Sequence, residues 1–183
     1  MCNITRISLS RGFVAIIDAD LYPVLGRRKW YAKTDKAGNT YAVRATKRVG
    51  GKQGTEHMHR TVIKAPQHRK VDHINGLTLD NRRENLRLCS THQNSRNRKK
   101  QRSPSSSKYK GVAWHVCHKK WRAALRVGNK VIHLGYFGDE ESAASAYNHA
   151  ARKYFGDFAR LNECRGHDQD IMRVIRILEG QEP

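Results

Sequence analysis

Residues 70–97 read KVDHINGLTLDNRRENLRLCSTHQNSRN, and the order of β-prone runs and turn formers in this stretch decides the local fold. Lys70 to His73 predicts a short strand, Asn75-Gly76 opens a turn, and Leu86 to Cys89 predicts a second strand. Ser90 or Thr91 then caps a short helix that carries Asn94. In a strand–loop–strand–helix unit the end of the first strand and the helix converge. Asp72 and Asn94 would there offer two oxygen ligands to a hard divalent cation, with His73 beside them as a base. Magnesium tolerates so sparse a donor set, because it keeps several waters and takes further ligands from substrate phosphate.

The charge around this stretch points to the partner. Thirty-six Lys and Arg against sixteen Asp and Glu leave a formal charge of +20 over 183 residues. Such an excess self-repels unless a polyanion meets it, and nucleic acid is the usual one. From Asn85 to Gly138 there is no Asp or Glu, while thirteen Lys or Arg fall there. Nucleic-acid contact explains that asymmetry better than solubility does. A run of 18 apolar residues is lacking, so no membrane-spanning helix is expected, and neither is a signal peptide. Cys2, Cys89, Cys117 and Cys164 are scattered with no CxxC pair. That spacing argues against structural zinc or a disulfide framework, and for free thiols in a reducing cytoplasm.

Ser95 to Lys108, SRNRKKQRSPSSSK, contains no apolar residue and predicts an extended basic tether. Before it the pattern is strand-like, with Ile4 to Leu9, Phe13 to Ile17 and Tyr41 to Thr46 separated by Gly38-Asn39, Gly50-Gly51 and Gly54 turns. Asp18 and Asp20 read as turn-capping acids. After it, strands are expected at Tyr109 to Val116, Lys119 to Val127 and Lys130 to Phe137, the last two joined by Gly128-Asn129. Trp121, Ala123, Leu125 and Val127 fall on one face of the middle strand; Arg122, Ala124 and Arg126 fall on the other. Asp139 caps a helix opened by Glu140 and Glu141, and Ala143, Tyr147, Ala150 and Tyr154 line its buried side. Gly156 ends it, and Trp114 and Trp121 read as core.

Asp72-His73, Asn85 twelve positions after that His, and Asn94 nine further on resemble the HNH nuclease family. The form is that of the ββα-metal endonucleases of phage and intron-encoded homing enzymes. His59-Arg60 upstream also matches that subgroup. The resemblance implies His73 as general base, Asp72 and Asn94 as ligands of one metal, and Asn85 holding the loop that aims His73. With Asn94 in the third position, magnesium or manganese fits better than zinc, and His92 is an alternative ligand.

Tyr109 to Asn162 resembles the Apetala-type, ethylene-response-factor DNA-binding domain. The carrying residues are Tyr109-Lys110-Gly111-Val112, Trp121, Leu134-Gly135-Tyr136-Phe137, Ala143-Ala144, Ala146-Tyr147, Ala150-Ala151 and Leu161-Asn162. The family reads the major groove with the outer face of its sheet, which agrees with the Arg122 and Arg126 face. Where plant members carry Arg and Trp, Ala113 and His133 stand here, so the target sequence is left open. The expected DNA-facing set is Lys110, Lys119, Lys120, Arg122, Arg126, Lys130 and His133, with Arg96, Arg98, Lys99 and Lys100 of the tether.

The fold class expected is α+β: a β-rich region (1–56), a ββα-metal HNH nuclease core (57–97) and a basic linker (98–107). A three-stranded antiparallel sheet packed on one helix (108–162) and a C-terminal helix (163–183) complete it. The function expected is a magnesium-dependent endonuclease on double-stranded DNA, monomeric, cytoplasmic in a bacterial or phage-infected cell, without a membrane or small-molecule partner. The competing class is a DNA-binding regulator that keeps an inert HNH scaffold. RNA recognition has no signature in this sequence.

Overall fold

The protein is described by a computed structural model covering residues 3–98, 100, 105–165, 174–177 and 179. It divides into two compact units, residues 1–95 and 96–183.

The first unit is assembled from small antiparallel sheets. Strands β1 (Ile4–Ser8) and β2 (Val14–Asp18) form a hairpin, and β3 (Tyr31–Thr34), β4 (Thr40–Val49) and β5 (Lys52–His57) form a three-stranded sheet in that order. Short helices α1 (Tyr22–Leu25) and α2 (Met58–Val62) cover its core, where Ile17, Leu25, Trp30, Ala42, Met58 and Leu86 are buried. Strands β6 (Lys70–His73) and β7 (Leu86–Cys89) pair antiparallel, and α3 (Thr91–Arg96) follows. Its start is closed reciprocally: Gln93 N donates to Ser90 Oγ (3.2 Å) and Ser90 N to Gln93 Oε1 (2.8 Å).

The β6–β7 loop is fastened to β2 through the main chain. Ile16 N donates to Leu79 O (2.9 Å) and Asn81 N to Ile16 O (2.8 Å). Thr78 Oγ1 adds a bond to Thr40 O at 2.6 Å. Asp18 and Asp20 are not local turn caps as expected. Asp18 Oδ2 accepts Arg83 N (2.9 Å), and both terminal nitrogens of Arg83 reach the Asp20 carboxylate (2.8 and 2.7 Å).

In the second unit, β8 (Val112–His115), β9 (Lys120–Val127) and β10 (Lys130–Phe137) form an antiparallel sheet of order β10-β9-β8, against which α4 (Glu140–Phe155) lies. The Asp139 carboxylate caps α4, accepting Ser142 N at 2.8 Å and Ser142 Oγ at 2.7 Å. Ala143, Ala144, Ala146, Ala150 and Ala151 are fully buried on Ala123, Leu125 and Leu134, so the helix lies close on the sheet. Gly111 is demanded by this closeness: a Cβ there would fall 2.0 Å from the Tyr147 ring, and its φ is +76°.

Three expectations need correction here. Tyr154 points to solvent, and Phe155 takes the buried position, because it follows Tyr147 and Ala151 at i+4 spacing on the buried side of the helix. Trp114 is 41% exposed and packs edge-on against the half-buried Trp121 at 5.1 Å, at the open end of the core rather than inside it. The basic tether is not a free chain in its described part. Ser107 is buried and donates to Glu140 Oε1 (2.6 Å), Trp114 N donates to Ser106 Oγ (2.8 Å), and the Arg96 guanidinium lies 4.7 Å from the Phe155 ring centre. Of the expected C-terminal helix, residues 174–177 are helical, with Val174 buried on the α4 core; the rest lies largely outside the described residues. Among the described residues no helix is long and apolar enough to cross a membrane.

Candidate functional site

In the β6–β7 ladder Asp72 lies opposite Arg87 and His73 opposite Leu86. Asp72 is buried, and its Oδ2 accepts both Nε (2.9 Å) and Nη2 (2.7 Å) of Arg87. His73 ends the strand with 5% of its surface exposed, its Nε2 3.5 Å from Asn81 Oδ1. Around it stand the rings of His59 (5.1 Å) and Tyr41 (6.3 Å), with His57 5.2 Å beyond His59. Burial pushes the His73 imidazole below its ordinary pKa, against the upward pull of Asn81, Asp72 and Asp80. It is therefore neutral at neutral pH, the state a proton acceptor needs. Burial, aided by the charges of His73, His57 and Arg60, drives His59 down to about 2.

Asn85 pins the loop that follows His73. Its Oδ1 accepts Asn75 N (3.0 Å), its Nδ2 donates to Asp80 O (2.8 Å), and its main-chain oxygen accepts Ile74 N (2.8 Å). Asp80 is held from the other side by Asn75 Nδ2 (2.9 Å) and by a two-pronged Arg82 (2.8 Å to each oxygen). Hydrogen bonds from Arg82 keep the Asp80 carboxylate below its ordinary range. The loop is thus braced by Asn85 and Asp80 inside and by Arg83 on Asp18 and Asp20 outside, and it presents buried Asn81 to His73.

Asn94 lies half-buried on α3, its amide bonded to Ser90 O (3.0 Å), while His92 is exposed. Among the described residues no group of three or more His, Cys, Asp or Glu converges into a metal cage. A carboxylate and an amide oxygen, as Asp72 and Asn94 carry, are donors of the kind a hard cation takes when it keeps its waters and shares substrate phosphate. A cation there would share Asp72 with Arg87. Sequence reasoning missed Asn81 and Tyr41 as neighbours of His73 and left His57 ambiguous. Arg87 was recoverable, since once β6 and β7 are paired it must face Asp72.

On the second unit the expected faces are present. Trp121, Ala123, Leu125 and Val127 pack into the core, and the outer face of β9 carries Arg122 and Arg126. Arg122 lies between Ala113 and Tyr136, Ala124 faces His133, and Arg126 faces Val131. Lys119, Lys120, Lys130 and His133 are exposed around them. His115, His118 and Tyr136 cluster at the same end, with ring centres 4.4–5.1 Å apart.

Lys110, Lys100 and Arg96 are otherwise engaged. Lys110 Nζ donates to Arg96 O (2.5 Å) and Arg98 O (2.8 Å), and Lys100 Nζ to Ser107 O and Tyr109 O (2.7 Å each). Burial, with the Arg160 charge, lowers Lys110 to about 8. The two lysines cap carbonyls instead of projecting from the sheet, and the Arg96 guanidinium lies over the Phe155 ring. Arg98 is exposed, and Lys99 lies outside the described residues.

Comparison with known proteins bears on both units. The HNH endonuclease family profile matches residues 64–96. The chain is similar to an uncharacterized HNH endonuclease of Acanthamoeba polyphaga mimivirus, 32% identical over 163 residues, covering 87% of this chain and 80% of the viral protein. Its C-terminal part is similar to the AP2-like ethylene-responsive transcription factor ANT of Arabidopsis thaliana, 42% identical over 83 residues (43% of this chain, 15% of that protein). It is also similar to the ethylene-responsive transcription factor WRI1 of the same plant, 47% identical over 58 residues (31% of this chain, 14% of that protein). The chain spans only a small part of either plant protein.

Proposed function

The chain belongs to the HNH endonuclease family, and on that premise we propose that it hydrolyses phosphodiester bonds of duplex DNA at sites chosen by its C-terminal unit. The observation that carries this reading is His73 buried at the end of β6, its Nε2 3.5 Å from Asn81 Oδ1, with the loop beyond it held by Asn85. His73 accepts a proton from the attacking water as the water oxygen bonds to phosphorus and one ester oxygen leaves. Asn81 and the His59 ring limit how the imidazole turns. Asp72 and Asn94 would hold a divalent cation, magnesium by preference or manganese, which when bound supplies charge stabilisation at the phosphate. Arg122 and Arg126, on one face of β9, would meet base edges, where Arg pairs bidentately with guanine. Lys119, Lys120, Lys130, His133 and Arg98 would meet phosphates. A homing role for a mobile element follows from the resemblance of residues 72–94 to that subgroup.

Incubation with plasmid and genomic DNA in magnesium or manganese, with and without chelator, tests the reading. The expected result is metal-dependent nicking that His73→Ala lowers by ~10²–10⁴-fold, while DNA affinity stays within about twofold, because binding rests on the basic surfaces. Cleavage by His73→Ala at the wild-type rate would refute the base assignment. The second reading, a DNA-binding regulator with an inert nuclease scaffold, draws on the Arg87 hold on Asp72. It predicts supercoiled plasmid unchanged under every condition.

A further inference from the structure

Beside the sheet, the second unit carries an open cleft of about 310 Å³ whose lining includes Lys100, Lys108, Lys110 and Arg160. The exposed Glu163 stands among them, and Glu140, which accepts Lys108 N at 3.0 Å, and Glu141 lie near Lys108. The cleft is built rather than incidental. Asn162 clamps Lys110 from both sides of its main chain, accepting Lys110 N on Oδ1 (2.7 Å) and donating Nδ2 to Lys110 O (3.0 Å). Asn148 of α4 clamps Asn162 in the same way, accepting its N (2.7 Å) and donating to its O (2.9 Å). Two crossed amide pairs therefore hold the two walls together.

Charge is concentrated in this frame. The Lys100 ammonium is fixed among the carbonyls of Ser107, Tyr109 and Val112, and Lys108 lies along the Tyr109 ring at 4.9 Å. Lys110 gives two N–H groups to carbonyls and has a third to give, since an ammonium carries three donors. Like charges fixed this close repel, and low-dielectric walls focus their field on whatever enters. We propose that this cleft is a phosphate-binding site, with Arg160, Lys108 and Lys110 as donors and Lys100 as fixed charge. Burial, with the Arg160 charge beside it, lowers Lys110, and a bound anion would oppose that shift.

The phosphate comes either from a DNA backbone running past the sheet or from a free phosphate or nucleotide. The DNA source rests on the reading of this unit as DNA-binding; the site itself does not. The test uses the full chain and its Arg160→Gln and Lys108→Gln variants, titrated with inorganic phosphate, with ATP and with duplex DNA. Backbone amide resonances of residues 108–111 and 160–163 should shift with phosphate or ATP. Each variant should weaken that response roughly tenfold, the scale of one lost charge-assisted hydrogen bond. If the source is DNA, Arg160→Gln also lowers the slope of log affinity against log salt by about 0.9, one phosphate's share. An unchanged slope with a lost phosphate response assigns the site to free phosphate or nucleotide. Amides that do not move with phosphate, or that move equally in both variants, overturn the proposal. Wild-type binding to duplex DNA is the control: its absence would refute the DNA-binding reading instead.

Discussion

The histidines around the candidate site should make the N-terminal unit acid-labile well above the carboxylate range. His59 and His73 are 9% and 5% exposed, and both are held below the ordinary imidazole pKa by burial. In the unfolded chain each titrates near 6.5, so below that pH the unfolded state binds more protons than the folded one. The stability they allow is complete above about pH 6.5 and is lost as pH falls beneath it. Each proton is worth about 1.36 kcal/mol per pH unit, a slope that His59 approaches and to which His73 adds. Integrated from pH 7.5 to 5.0, His59, lowered to about 2 in the fold, accounts for about 2 kcal/mol, and His73 adds in the same direction. Half-buried His57, lowered by burial and by Lys33 and Arg60, adds a smaller share because water screens it. Asp80 and Glu56 are both held below their ordinary values, so their contribution falls outside this window. For a unit of this size about 2 kcal/mol lowers the melting midpoint by roughly 8–15 °C. Trp30 is buried in the N-terminal core, so fluorescence melts of a chain with Trp114 and Trp121 replaced by Phe report this unit alone. His59→Gln should remove the largest single share of the pH slope. A midpoint that moves by less than about 5 °C between pH 7.5 and 5.0 would refute the argument.

Three further outcomes follow from the site and the sheet. Asn85→Ala leaves Asn75 N and Asp80 O without their partner, at about 1–3 kcal/mol for each buried group; hydrogen exchange at Asn75 should accelerate and cleavage should fall, and wild-type protection of that amide would remove Asn85 from the loop's support. Arg122→Ala with Arg126→Ala should cost about 1–3 kcal/mol per lost base contact on the specific site and much less on unrelated DNA; equal losses on both would take base reading away from this face. Affinity for duplex DNA should fall about 10³–10⁵-fold between 50 and 200 mM salt if six to ten phosphates are met, and a flat response would remove the case built on the acid-free stretch from Asn85 to Gly138.

What the chain reveals of itself depends on how far its signals reach. Strands β6, β7 and β10 fall where Lys70 to His73, Leu86 to Cys89 and Lys130 to Phe137 were expected, and α4 begins after Asp139, because each is bounded by turn or cap chemistry within a few residues. Strand β5, KQGTEH, has no apolar alternation to announce it; it exists because β4 offers it a hydrogen-bonding edge. The enclosure of His73 was illegible for the same reason. Tyr41 and His59 reach it from β4 and α2, with His57 of β5 behind His59, and a contact across that separation leaves no period in the sequence. The lysines of the tether show a different limit. Lys99, Lys100 and Lys110 share a composition that reads equally as phosphate contacts or as carbonyl caps, since an ammonium donates to either oxygen. Only position separates the two. Lys100 ends within 2.7 Å of two main-chain oxygens, and desolvation there holds its pKa down. A cation so placed adds to the field of the surface while keeping its own hydrogen bonds, so the charge counted in the sequence overstates the number of side chains able to grip DNA directly.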